Sequence, residues 1–199
     1  MAVRIHPKTL QGPWTQGFAL DVHTTRSTFL GHNEYGREVY DTERSQIGEL
    51  LYRLKYRGDR EALREIVDTA AGFLMGVWKL QADILVPVPP SNTARKNRPV
   101  MEVAASLSDR CHIPLRAACV TKVRNTAQLK NVFELAKRTE LLRDAFAVDR
   151  DVAAGQRILV FDDLYRSGAT AGTISRLLTS EGGAEAVYLL TLTQTRRSL

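Results

Sequence analysis

The stretch ILVFDDLYRSGAT, residues 158–170, decides the fold of this chain. Its first four residues are apolar and predict a buried strand over residues 157–161. Two adjacent carboxylates follow, and a turn of small residues around Gly168 leads into an apolar-periodic segment that predicts a helix over residues 169–180. Ligands of open parallel sheets bind beyond the carboxyl ends of the strands, so this junction is the candidate site.

Strands and helices alternate through the second half of the chain. Strands are predicted at residues 83–90, 115–122, 145–149, 157–161 and 186–194, and helices at 45–58, 59–78, 99–111, 132–143 and 169–180. This alternation predicts an α/β fold with a mainly parallel sheet flanked by helices on both faces. Residues 14–40 mix short apolar pieces with turn residues and predict an N-terminal hairpin. We therefore divide the chain into an N-terminal hairpin with helices packed on the core, residues 1–80, and an α/β core, residues 81–199.

Composition limits the classes of function. The chain has 199 residues, 44% of them hydrophobic and 25% charged, and no stretch approaches the roughly 18 apolar residues of a membrane span. The first residues lack the apolar run of a secretory signal, so we expect a cytoplasmic protein with no membrane partner. The two cysteines and four histidines show no metal-ligand spacing. No protein-held metal site is predicted.

The net charge of +6 is unevenly distributed. One basic cluster comprises Arg53, Lys55, Arg57, Arg60 and Arg64, and a second comprises Arg116, Lys122, Arg124, Lys130, Lys137, Arg138 and Arg143. Such clusters favour anionic partners, either the phosphates of a small molecule or those of a nucleic acid.

The acidic pair suits a sugar. Neighbouring side chains on a strand point to opposite faces, so Asp162 and Asp163 are a poor general acid and base pair. Ionised carboxylates do make strong hydrogen bonds to hydroxyl groups, and ribose offers two adjacent ones. The turn that follows leads into a helix start, which favours an anion such as a phosphate.

Two other interpretations of the pair stay open. An apolar strand that ends in two aspartates also holds Mg²⁺ in some nucleotide-binding proteins, although the phosphate-binding motif G-x-x-x-x-G-K-[ST] does not occur here. Alternatively, the two carboxylates only cap the turn before the helix.

The junction resembles the phosphoribosyl pyrophosphate (PRPP) motif of type I phosphoribosyltransferases. Further blocks are similar to the ComF subfamily, which is linked to DNA uptake: LYRLKYRGD (51–59), DILVPVPPS (83–91) and RNTAQLKNVFELAKRTELLRDAF (124–146). The resemblance covers about three quarters of the chain, from residue 50 onward.

The resemblance implies a role for each matched position. Asp162 and Asp163 would hold the ribose hydroxyls. The 5-phosphate would be bound by Arg166, Ser167, Gly168, Ala169 and Thr170. The pyrophosphate loop would comprise Val88, Pro89, Pro90 and Ser91, with Arg98 as a phosphate partner. Lys122 and Arg124 would be catalytic, and Thr126 and Gln128 would lie in a mobile loop. Mg²⁺ would be bound mainly through PRPP.

The chain also departs from the family pattern. The four-cysteine zinc ribbon near the amino end is absent, and RPVME (98–102) stands where ComF-like chains usually read Arg-Gly-Phe-Asn-Gln. Arg166 replaces the acidic residue with which the purine-salvage subgroup assists the attacking base.

We expect a phosphoribosyltransferase-like protein that binds PRPP with Mg²⁺ and transfers its phosphoribosyl group to an unidentified acceptor. The alternative is a non-catalytic protein of DNA uptake that senses PRPP or binds single-stranded DNA, with Tyr52, Tyr56 and Tyr165 as stacking platforms. A homodimer is left open.

Overall fold

The computed structural model of the protein describes residues 1–90, 98–124, 142 and 144–196. The strands are β1 Lys8–Thr9, β2 Gln16–Val22, β3 Thr24–His32, β4 Glu38–Arg44, β5 Ile84–Pro87, β6 Val120–Lys122, β7 Phe146–Val148, β8 Arg157–Tyr165 and β9 Ala186–Gln194. The helices are α1 Gln46–Arg57, α2 Arg60–Gly72, α3 Pro99–Cys111, α4 Arg150–Ala153 and α5 Ala169–Ser180, and a π-helix, Phe73–Trp78, continues α2.

The central sheet has five strands in the order β1-β2-β9-β8-β5. Neighbouring strands from β2 to β5 pair in parallel, and β1 alone pairs antiparallel, at the edge. The predicted α/β fold with a mainly parallel sheet is therefore confirmed. No helix of the described residues combines the length and the hydropathy that a membrane span requires.

Helices cover both faces of this sheet. Along β8, Leu159 and Phe161 belong to the core cluster beneath α1, α2 and α3, whereas Ile158 and Val160 belong to the cluster on the other face, beneath α5. Because β8 is buried on both faces, its sequence is continuously apolar up to residue 161.

Strand β8 extends beyond the predicted end at Phe161. It pairs with β9 through Asp162↔Thr191 and Leu164↔Thr193 up to Tyr165. The prediction that the strand ends before the acidic pair was wrong, because β9 continues alongside and pairs with the backbone of these polar residues.

The N-terminal segment also differs from the prediction. Residues 16–22 are not paired with β3 in the predicted hairpin but enter the central sheet as β2, with Ala19 and Leu20 fully buried. The hairpin is formed by β3 and β4, which pair antiparallel with two register shifts. Residues 1–80 thus contribute two strands to the sheet as well as the hairpin and helices, and the predicted division at residue 80 stays a prediction.

Local signals place the helices as expected. Ser45 caps α1 by accepting a hydrogen bond from the Gly48 N–H, Gly58 ends that helix in the left-handed conformation, and Asp59 caps α2. Helix α3 begins at Pro99 and ends at Cys111 as predicted. The predicted helix at residues 132–143 lies outside the described residues except for Leu142.

Short strands β6 and β7 form a separate antiparallel ribbon. The predicted strand at residues 115–122 is therefore shorter than expected, with Leu115 making one isolated bridge to Leu85.

At the opposite end of the sheet from the acidic pair, the Arg157 guanidinium binds the Asp83 carboxylate at 2.7 and 3.1 Å, which joins the starts of β5 and β8.

Candidate functional site

The acidic pair lies near the carboxyl end of β8, with its two side chains on opposite faces of the strand. Asp163 projects toward α1, where its Oδ2 lies 2.6 Å from Lys55 Nζ. Strand alternation puts Asp162 on the other face, that of Ile158 and Val160. Its Oδ1 accepts a hydrogen bond from the Asp163 N–H at 2.8 Å. These contacts agree with the predicted divergence of the two carboxyl groups.

The two carboxyl groups differ in electrostatic environment. Burial raises the pKa of Asp162 well above its ordinary value, and the adjacent charge of Asp163 raises it further. Asp163 is balanced by the ammonium of Lys55. A protonated carboxyl donates a hydrogen bond and a carboxylate accepts one. The pair can therefore offer one donor and one acceptor to adjacent hydroxyl groups.

Three residues that the sequence analysis did not place in the site surround Asp163. Besides Lys55, they are Thr193, whose hydroxyl donates to the Asp163 carbonyl at 3.1 Å, and His23, whose Nδ1 lies 3.3 Å from the same hydroxyl. Burial lowers the pKa of His23, and the cations Lys55 and Arg44 lower it further, so the imidazole is neutral at pH 7. Lys55 lies within a ComF-like block, which was the available signal, whereas His23 and Thr193 carried none.

The turn after β8 requires a glycine for two structural reasons. Gly168 has φ +79°, a conformation that residues with a side chain rarely adopt. A Cβ at this position would lie 2.8 Å from Tyr165 Cζ. Glycine is thus required by the backbone and by Tyr165, and its role in binding the 5-phosphate stays a prediction.

Helix α5 begins at this turn with no side-chain cap. The first N–H groups of a helix lack intrahelical partners and favour an anion. The Ser167 hydroxyl accepts from the Ala169 N–H only at 3.5 Å, the long limit for such a bond. Thr170 is half-buried and Arg166 is exposed beside them. The predicted phosphate-binding residues are therefore brought together at one helix start.

The described part of the predicted pyrophosphate loop, residues 88–90, offers few hydrogen-bond donors to a ligand. Val88 is buried, and its N–H donates to the Phe161 carbonyl at 2.8 Å. Pro89 and Pro90 have no N–H. Ser91 lies outside the described residues. None of residues 88–90 has a backbone N–H available for a ligand, and the assignment of these residues to a pyrophosphate loop stays a prediction.

The remaining predicted site residues lie on other elements. Arg98 precedes α3 and its carbonyl accepts from the Glu102 N–H at 3.0 Å. Lys122 ends β6 and Arg124 follows two residues later, while Thr126 and Gln128 lie outside the described residues. The catalytic role of Lys122 and Arg124 stays a prediction.

The first basic cluster is largely neutralised by ion pairs. Arg53 binds Asp59 at 2.6 Å and Arg60 binds Glu102 at 2.7 Å, in addition to the pair of Lys55 with Asp163. Tyr165 is only 8% exposed, so its predicted use as a stacking platform was wrong.

Tyr52 and Tyr56 form an aromatic cluster on α1. Their ring centroids are 4.8 Å apart, and the Arg44 guanidinium lies 4.0 Å from the centroid of the Tyr52 ring. Tyr56 is 73% exposed. These two rings remain candidates for stacking on a planar ligand.

A parallel sheet with an acidic pair near the end of β8, followed by a glycine turn and an uncapped helix, has the features implied by the resemblance. The protein has an α/β fold with a mainly parallel sheet, the kind of fold that the resemblance implies. Its sequence is similar to competence protein ComFC of Bacillus subtilis (strain 168), with 30% identity over 161 residues, 78% of this chain. The resemblance to ComF proteins is thereby confirmed. The chain spans 62% of the length of that relative.

Similar solved structures include glutamine PRPP amidotransferase from B. subtilis, with 19% identity, a TM-score of 0.49, and coverage of 80% of this chain and 34% of that chain. Orotate phosphoribosyltransferase from Aeropyrum pernix gives 19% identity, a TM-score of 0.45, and coverage of 87% and 78% respectively. No family model matches the chain.

Proposed function

We propose that this protein binds PRPP together with Mg²⁺ and transfers its phosphoribosyl group to an acceptor. The observation that carries the proposal is the junction of β8 and α5, where the carboxyl groups of Asp162 and Asp163 precede an uncapped helix start. The similarity to ComFC supports a ComF-like protein, and the substrate follows from the chemistry of the junction.

The acidic pair suits the ribose of PRPP. A protonated Asp162 donates to one hydroxyl group, while Asp163 accepts from the adjacent one. The Asp163 carboxylate keeps acceptor capacity for this purpose, because Lys55 binds Oδ2 and no described residue makes a hydrogen bond to Oδ1. A single carboxylate can accept several hydrogen bonds at once.

The start of α5 suits the 5-phosphate. The N–H groups of its first turn and the hydroxyls of Ser167 and Thr170 are donors, and Arg166 adds a positive charge. The predicted ligand is therefore held at two points, its hydroxyl groups on the strand and its phosphate on the helix.

The proposed reaction is a displacement at C1 of the ribose. The acceptor forms a bond to C1 as the C1–O bond to pyrophosphate breaks, and the pyrophosphate leaves with that electron pair. Mg²⁺, bound mainly through PRPP, would neutralise the charge that develops on the leaving group. The protein's contribution would be positioning and electrostatic stabilisation, with Lys122 and Arg124 facing the pyrophosphate.

Calorimetry with Mg²⁺ and PRPP tests the proposal. We expect saturable binding that the double variant Asp162→Asn, Asp163→Asn abolishes, whereas Asp109→Asn, an exposed position on α3, leaves it intact. Equal affinity in the double variant and the unchanged protein would contradict the assignment. Release of pyrophosphate against a panel of bases then identifies the acceptor.

A second candidate function is binding of single-stranded DNA in DNA uptake. It is favoured by the similarity to a competence protein and by the exposed Tyr56 ring beside Tyr52 and Arg44. Affinity should then fall steeply with salt, because binding releases counterions from the DNA, and Tyr56→Ala should weaken it. An affinity that does not depend on salt would argue against this function.

A further inference from the structure

Lys55 belongs to α1, yet its ammonium lies at the acidic pair on β8. The distance between Lys55 Nζ and Asp163 Oδ2 is 2.6 Å, and the two side chains are only 26% and 16% exposed. Charges that are partly withdrawn from water are screened less than surface charges. This contact is therefore more than an incidental surface ion pair.

The fold fixes the helix that carries Lys55. Ser45 at the start of α1 accepts from the Gly48 N–H and donates to the Val22 carbonyl, at 3.1 and 2.5 Å. Leu54, the residue before Lys55, is buried in the core. Since α1 is attached both to β2 and to the core, the position of Lys55 relative to Asp163 is set by the fold.

Among the described residues, the charges that act on Asp162 are those of Asp163 and Lys55. Arg44, at the end of β4, and Glu49, on α1, act on the neighbouring His23. Arg44 binds Glu49 at 3.2 Å and covers Tyr52, so its charge is already balanced. Within the described part of the chain, Lys55 is therefore the cation that compensates the acidic pair directly.

We propose that Lys55 is a positioning residue of the acidic-pair site. It holds the Asp163 carboxylate so that Oδ1 is presented to a ligand hydroxyl, and its ammonium balances the charge of that carboxylate. This inference rests on the proposed function, since the hydroxyl belongs to the ribose of PRPP. It adds to the motif on β8 a residue from a different part of the chain.

Binding of PRPP with Mg²⁺ to variants of the full chain tests the proposal. Lys55→Gln should weaken binding on the order of tenfold to a hundredfold, the usual worth of a hydrogen bond to a charged group. Lys55→Arg keeps the cation and should restore most of the affinity. Arg150→Gln removes the same charge from an exposed position at the start of α4, outside both basic clusters, and should have no effect.

Lys55→Gln with unchanged affinity would overturn the proposal, and tighter binding would show that Lys55 competes with the ligand for Asp163. The melting temperature of each variant shows whether it is folded. If Lys55→Gln does not fold, acylation of the Lys55 amine in the unchanged protein takes the place of this variant. PRPP with Mg²⁺ should protect the amine from acylation. Equal labelling with and without PRPP would overturn the proposal.

A titration of the Asp162 carboxyl group in the absence of PRPP tests the role of Lys55 independently of the proposed function. The charge of Lys55 lowers the pKa of Asp162, so Lys55→Gln should raise it, as measured by carbon NMR of the carboxyl group. If the unchanged protein binds no PRPP, the proposed function fails by itself. If Lys55→Gln also leaves the Asp162 titration unchanged, the electrostatic role of Lys55 fails as well.

Discussion

The phenol ring of Tyr165 fills the space into which a side chain at position 168 would project. The Gly168 backbone is left-handed, with φ +79°, and Tyr165 packs edge-on against Trp14 at a ring-centroid distance of 6.2 Å. The last residue of β8 and the turn into α5 are thus held by one aromatic ring. Substitution of Gly168 should disturb both elements that form the proposed site.

Gly168→Ala should be more destabilising than Gly155→Ala. Both glycines are left-handed, with φ +79° and +70°, but a Cβ at position 155 would meet nothing within 4 Å. The left-handed conformation costs each alanine about 1–2 kcal/mol. The contact with Tyr165 should add about 1–3 kcal/mol at position 168, the usual cost of overpacking.

Urea unfolding of the two variants gives this comparison. We also expect Gly168→Ala, but not Gly155→Ala, to weaken the binding of PRPP. Equal losses of stability at the two positions would show that the Tyr165 ring moves aside at no cost.

Much of the fold could be predicted because its signals are local. Helix α3 has Pro99 at its first position, and α5 follows Gly168, so punctuation residues and apolar periodicity locate these boundaries. Strand β9 begins with an apolar run over residues 186–190, which is typical of a strand buried on both faces.

The parts of the fold that were predicted wrongly depend on pairing between distant parts of the chain. Strand β2 joins the sheet through β9, at the other end of the sequence, and β8 continues past Asp162 because β9 lies beside it. Nothing within residues 14–40 distinguishes a sheet strand from the first strand of a hairpin. The prediction therefore placed the hairpin too early and ended β8 too soon.

The candidate site likewise has a part that local sequence reveals and a part that depends on contacts between distant residues. Asp162, Asp163 and the Gly168 turn follow one another along the chain, so a motif could reveal them. The contact of Lys55 with Asp163 and the hydrogen bond from the Val88 N–H to the Phe161 carbonyl join residues that are far apart in sequence. Only the packing of α1 and β5 against β8 reveals these interactions.

The stability of the protein should depend on pH through Asp162. Burial raises the pKa of this carboxyl in the folded protein above its ordinary value of 3.8. Below pH 3.8 the group is protonated in both the folded and the unfolded state, so it does not change the free energy of unfolding with pH. As the pH rises from there to the raised pKa, the unfolded state ionises while the folded state keeps its proton, so the folded state loses stability.

Asp162→Asn removes this penalty and keeps an oxygen that can accept from the Asp163 N–H. The free energy of unfolding of Asp162→Asn relative to the unchanged protein should therefore increase with pH, by about 1.4 kcal/mol for each tenfold difference in proton affinity between the two states. Urea unfolding between pH 5 and 9 measures it, with Asp109→Asn as the exposed control. A difference that does not vary with pH would contradict the raised pKa.

Gly48→Ala should displace α1. A Cβ at this position would lie 3.2 Å from the His23 carbonyl carbon and closer still to its oxygen, and neither backbone atom can rotate away. The helix must therefore shift from the β2–β3 junction and carry Lys55 with it. We expect a loss of about 1–3 kcal/mol in the free energy of unfolding.

Gly72→Ala is the matched control for this substitution. Gly72 also lies in a helix, α2, but a Cβ there would meet nothing within 4 Å. Alanine should stabilise this helix by about 0.5–1 kcal/mol, because it restricts the unfolded chain. The two substitutions should thus change stability in opposite directions, and a stabilised Gly48→Ala variant would show that α1 does not need its close contact with His23.

Arg124→Ala should lower turnover more than affinity for PRPP. If Arg124 faces the pyrophosphate only as the C1–O bond breaks, its loss removes stabilisation of the transition state and little ground-state binding. Removal of one such electrostatic contact typically costs about 3 kcal/mol, on the order of a hundredfold in rate. Release of pyrophosphate with the acceptor that the panel of bases identifies, together with calorimetry, measures both quantities.

Arg116→Ala controls for the loss of a positive charge in the same part of the chain. Arg116 is exposed and its guanidinium donates to the Leu115 carbonyl at 3.3 Å, so its removal should change neither turnover nor affinity. An equal loss of turnover and affinity in Arg124→Ala would make Arg124 a docking residue, because an interaction formed equally in the bound and transition states cannot accelerate the bound substrate. The catalytic contribution would then have to come from Lys122 and the Mg²⁺ carried by PRPP.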